Sequence, residues 1–221
     1  RDSRPELWRD LMSGIVDANA GGADIKGQVL TRPTGILLGF EISLNPFSGR
    51  PSWEKITQLS LDEKLVHLRD NKFRKQLMSE TCPTKKLAGR VSNYERIFPW
   101  DGETPDYEPS ADQSIAARAK REGRDPEELV YDTLLEKDGK RMLYRPLSNY
   151  AYGDLNTVGE MMKHPDTLVS LGDGGAHVGV LCDASSMAYM LTHWTRDRTR
   201  GDKVELSWAI KRITNDNAQA I

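Results

Sequence analysis

A chain of 221 residues, 38% hydrophobic and 29% charged, has ordinary globular composition and enough length for one large domain or two small ones. Its 31 Lys and Arg against 33 Asp and Glu leave a formal net charge of -2, which offers no strong field for nucleic acid or an anionic membrane. No apolar run approaches the roughly 20 residues of a membrane span. Cys82 and Cys182 stand far apart with no CxxC spacing, which argues against a structural zinc site or a redox pair and fits a reducing, cytoplasmic setting.

From Pro5 to Ala20 the apolar residues Leu7, Trp8, Leu11, Ile15, Val16 and Ala18 recur at helical spacing, and Gly21-Gly22 supplies the stop. The alternation in Ile25–Leu30 predicts a strand, ended by the Pro and Gly of Thr31-Arg32-Pro33-Thr34-Gly35. Ser60-Leu61-Asp62-Glu63 reads as a helix start, with a helix through Leu68 and a second from Phe73 to Met78. Residues 81 to 112, rich in Pro, Gly and charge, are expected to be a long excursion without regular elements.

Helical patterns return at Ser114–Glu122 and after Asp125-Pro126-Glu127-Glu128, where an N-cap, a proline at the first position and acids in the first turn coincide. Arg141–Tyr144 is a candidate strand, Leu155–Lys163 a helix, and Thr167–Leu171 a continuous apolar run of the kind a covered parallel strand shows. Ser186–Thr195 and Leu206–Asn217 read as helices. The last of these runs into Ile221 without a stop signal and the first begins almost at once, so the chain is expected to be an internal piece of a longer protein.

Asp173 follows the apolar strand pattern and is flanked by Gly172, Gly174 and Gly175. In parallel α/β architectures ligands bind beyond the carboxyl ends of strands, so a carboxylate there is a candidate metal ligand or proton acceptor. The alternative is an Asp that caps its own turn. His177, four residues on, is a candidate substrate donor, metal ligand or partner of Asp173, against the plainer role of a solvated loop histidine. Arg32, and Arg145 with Asn149 and Tyr150, fall at the ends of two other expected strands; they are candidates for holding a substrate carboxylate or amide, or else ordinary ion-pairing and packing residues. No HxH, HExxH, Walker A, GxGxxG or GxSxG pattern occurs.

The run Val169-Ser170-Leu171-Gly172-Asp173-Gly174-Gly175-Ala176-His177, followed by Leu191-Thr192-His193-Trp194-Thr195-Arg196, resembles the last barrel strand and next helix of the N-acyl-D-amino-acid deacylases of the amidohydrolase superfamily. Gln28-Val29 through Arg32-Pro33, Leu37-Leu38-Gly39, Asn45-Pro46-Phe47 and Pro146–Pro165 add to the likeness, which spans nearly the whole chain. It implies an α/β fold: a partial (β/α)8 TIM-type barrel, roughly strands six to eight, with a long, largely helical insertion over about residues 45–140 beside the active-site mouth. The flanking parts would be 1–44 and 141–221. It further implies one or two zinc ions and hydrolysis of an N-acylated D-amino acid, with Asp173 as metal ligand and as general base, then general acid. The remaining ligands of that family would precede Arg1, so the piece alone is expected to be inactive. A small-molecule substrate is the expected partner, with no nucleic acid and no membrane. Other amidohydrolase activities, on cyclic amides or by deamination, share the scaffold, and a non-catalytic α/β binding or scaffold protein is the alternative from another class.

Overall fold

The computed structural model describes residues 4–170 and 184–220. Along the chain it places α1 (Leu7–Ala20) and β1 (Gly27–Val29), then β2 (Thr34–Leu38), α2 (Pro51–Glu54), α3 (Leu61–Leu68), α4 (Asn71–Ser79), α5 (Lys85–Val91), β3 (Phe98–Trp100), α6 (Ile115–Glu122), α7 (Pro126–Gly139) and β4 (Met142–Ser148). They are followed by α8 (Asn156–Lys163), β5 (Thr167–Val169), α9 (Ser186–Thr192), α10 (Leu206–Ile213) and α11 (Asn215–Ala218). The chain is thus α/β. The described residues fall into two compact units, one built from those up to Thr34 and from Pro146 onward, the other from Gly35 to Arg145. No described helix is long and apolar enough to cross a membrane.

In the first unit β1 and β5 form a parallel pair, with Gly27 opposite Thr167 and Val29 opposite Val169. Parallel strands need a crossover and cover on their faces. Helix α8 leads directly into β5, and α10 reaches back to its start through Arg212. That guanidinium donates to the carbonyls of Met162 at 2.9 Å and Thr167 at 2.6 Å, while its other arm meets Asp216 at 3.0 Å. One planar cation thus fixes the end of α8 and the start of β5 together.

The second unit packs around aromatic rings. Phe40 stacks on Trp53 at 5.6 Å, Tyr131 meets Phe47 edge-on at 5.3 Å, and the Tyr131 hydroxyl donates to Leu68 O at 2.6 Å. Two helix starts follow their sequence signals. Ser60 and Glu63 close a capping box on α3, and Asp125 accepts from the amides of Glu127 and Glu128 at the start of α7. The three-stranded sheet has the order β2-β4-β3, with β3 antiparallel to β4.

Two local expectations change. Residues 81–112 contain α5 and β3; Pro99 sits inside β3, where its missing donor is tolerated because β3 is an edge strand. The first strand ends at Val29, ahead of Pro33 as expected, but Gly35 lies inside a new strand, β2, instead of in a turn. At Gly35 a Cβ would lie 2.4 Å from Tyr144 Cε2, so the strand has room there for hydrogen only. The regular part of α7 stops before Glu136, and Lys137 and Asp138 take left-handed conformations at φ 51° and 54°.

Gly35→Ala is expected to destabilise the chain by about 1–3 kcal/mol through this overlap, read as a lower urea midpoint at unchanged m-value. Lys137→Gly should move the midpoint the other way by about 1 kcal/mol through relief of the left-handed strain.

Candidate functional site

The parallel pairing of β1 and β5 puts their carboxyl ends on one edge. The ladder extends one step past β5, where Ser170 N donates to Val29 O at 3.2 Å. Beyond β1 the chain is tied down by two side-chain bonds. The Thr31 hydroxyl donates to Ser186 O at 2.7 Å, and the Trp194 indole donates to Thr31 O at 2.7 Å. Trp194 belongs to a π-helical turn, His193–Asp197, that prolongs α9. The Arg198 guanidinium lies 4.4 Å over its ring, and Gly159 of α8 leaves the space that the ring fills.

Arg32 follows at this edge with only 2% of its surface exposed, and Pro33 O is one acceptor of its guanidinium, at 3.4 Å. Asp173 and His177, the residues the sequence singled out most strongly, lie outside the described residues. Asn149, just past β4, takes a left-handed φ of 62°, a conformation Asn tolerates better than most. It lines a small cavity with Trp8 and Tyr152. Tyr150 is buried, and its hydroxyl accepts from Arg200 Nη1 at 3.1 Å. Arg145 belongs to the second unit. It donates to the carbonyls of Gly89 and Arg90, the latter through Nε, and so places a cation at the carbonyl end of α5.

The opposite, amino edge of β1 and β5 borders a cavity of about 450 Å³ that includes Lys26, Thr167, Arg212 and Asp216 in its lining. Lys26 pairs with Asp166 at 2.9 Å, and Asp216 with both Lys211 and Arg212. These charges are satisfied by one another, so this edge reads as framework. Among the described residues no three His, Cys, Asp or Glu side chains gather where a metal ion would fit. Of the other histidines, His164 closes α8, and its Nδ1 accepts from Asp166 N at 3.1 Å, while His193 stacks on Tyr189 with ring centres 4.4 Å apart.

Trp194, Arg198 and Arg200 are the residues near these positions that the sequence did not single out. Trp194 is about 160 residues from the carbonyl it holds, and no local pattern announces such a bond.

Comparison with protein-family models, with curated proteins and with solved structures finds no match to the chain.

The Lys211 ammonium, hydrogen-bonded to Asp216, and then the Arg212 guanidinium hold the Asp216 carboxyl below its usual range. A carboxyl whose folded pKa is depressed contributes stability above its unfolded pKa of about 3.9 and loses it as pH falls through the lower folded value. Asp216→Asn should therefore be less stable than the parent at pH 7, with the gap closing below about pH 4, as urea titrations across that range would show.

Proposed function

We propose that the chain is part of a (β/α)8-type amidohydrolase that cleaves a linear, non-peptide amide, foremost an N-acyl-D-amino acid. The observation that supports it is the parallel β1–β5 pair. Its shared carboxyl edge carries buried Arg32 past one strand, and the other strand leads in sequence through Ser170 to Asp173. The resemblance of Val169–His177 to the deacylases is the second support.

In this proposal Asp173 does the proton work. Its carboxylate accepts a proton from water as the water oxygen attacks the acyl carbon. It returns that proton to the amide nitrogen as the C–N bond breaks, because an amine anion is too basic to leave unprotonated. Arg32 and Tyr150 with Asn149 are proposed to shape the substrate site and His177 to donate a hydrogen bond; Arg145, inside β4 with its guanidinium on the carbonyls of Gly89 and Arg90, has no part in the proposal. Zinc, one ion or two, belongs to the proposal as the group that makes a bound water more acidic. The described residues supply no ligand set for it.

In the whole protein, Asp173→Asn should lower kcat on N-acetyl-D-amino acids by about 10²–10⁴-fold with the fold unchanged. Turnover equal to the parent sinks the proposal. Arg32→Lys, which keeps the charge and loses the guanidinium fork, should raise KM about tenfold with little change in kcat. An unaltered KM removes Arg32 from the substrate site.

A further inference from the structure

In the second unit a cavity of about 320 Å³ is lined by Pro46, Arg50, Cys82, Ala88, Tyr94 and Glu127, among others. That volume is at the small end of those that hold organic ligands. Its frame is tied down on several sides. Arg50 Nη1 donates to Leu77 O at 2.9 Å and pairs with Glu127 Oε1. The Glu80 carboxylate takes both the amide, at 2.7 Å, and the hydroxyl, at 2.6 Å, of Ser52, and so holds the end of α4 to the start of α2. Gly49 at φ 82° lets the Cys82 sulfur seat against the turn, since a Cβ there would be 2.6 Å from it. Arg145 anchors the end of α5, which carries Ala88.

Two buried donors beside this cavity, the Tyr94 hydroxyl and Arg50 Nε, reach no acceptor among the described residues. A buried donor without an acceptor carries a desolvation cost that a bound acceptor removes. Burial, and after it the Glu127 carboxylate, push the Tyr94 phenol well above its usual range, so it keeps its proton and remains a donor. The Arg50–Glu127 pair leaves the cavity without net charge, which disfavours a bare anion: it would gain the guanidinium only in competition with Glu127. Glu127 is also an acceptor, and its side chain is 26% exposed.

We propose that this cavity is a binding site for a small neutral amide, whose carbonyl oxygen accepts from the Tyr94 hydroxyl and Arg50 Nε and whose N–H donates to Glu127, with Pro46 and Ala88 against its carbon skeleton. The site stands independently of the hydrolase proposal, because none of its residues takes part in that chemistry.

Cys82, a free thiol of intermediate exposure on the cavity wall, is a built-in reporter. The experiment follows its modification by methyl methanethiosulfonate in the 221-residue chain, with peptide mapping to separate it from Cys182, in the presence of propionamide or its isosteric acid, propionate. Propionamide is expected to slow Cys82 modification in a saturable way and propionate to do so far less. Tyr94→Phe should weaken the protection about tenfold, the worth of one buried hydrogen bond, measured relative to that variant's own rate without amide. Ala88→Leu fills the cavity from α5 with Tyr94 left in place, and it should abolish protection. No protection by the amide, stronger protection by propionate, or protection that survives Ala88→Leu overturns the proposal.

Discussion

The three-residue parallel ladder between β1 and β5 is too short to hold itself together, and the first unit is arranged around securing its two ends. At the amino end Arg212 binds the carbonyls that finish α8 and begin β5. At the carboxyl end Trp194 binds the carbonyl of Thr31, and Thr31 in turn reaches Ser186. Both anchors are large side chains from segments that follow the ladder in sequence. The two strands form a fixed edge through these contacts with α10 and with the turn after α9.

The chemistry of those anchors explains why a charge is found at a buried position. Arg212 is nearly enclosed, and both Nη groups of its guanidinium are matched by fixed carbonyls and by Asp216, so the desolvation of the cation is offset in part by several charge-assisted bonds at once, while its Nε reaches no acceptor among the described residues. Arg198, 3% exposed, repeats the device, donating to Asp202 O and to Asn156 Oδ1, each at 2.9 Å. The second unit depends instead on ring packing. Phe40, Phe47, Trp53 and Tyr131 form one cluster, and Trp100, Tyr107 and Tyr144 a second, the latter limiting Gly35 to its hydrogen.

Much of the local structure was legible because it is decided within a few residues. The Ser60–Glu63 box, the Asp125 cap with Pro126 behind it, and the helical spacing of Leu7 to Ala20 each carry their cause in the segment itself. The strand Phe98–Trp100 was not legible, since Pro99 argues against a strand until the edge position is known. Of the candidate site residues, Arg32 lies three residues past the end of β1 and two before β2, close to where the strand pattern puts it. Arg145, expected at a strand end by the same logic, lies inside β4, and the carbonyls its side chain binds belong to a helix more than fifty residues earlier.

The alternation of helix and strand, the caps that start α3 and α7, and the glycine-flanked acid that follows an apolar strand are all written in the order of residues. These depend on backbone preference, on side chains reaching their own neighbours in the chain, and on residue order. Tertiary structure alone decided that β1 pairs with β5, that Trp194 and Arg212 secure the two ends of that pair, and that Arg50, Tyr94 and Glu127 surround one cavity. Each of these joins groups tens to more than a hundred residues apart, and no local pattern encodes a hydrogen bond across that separation.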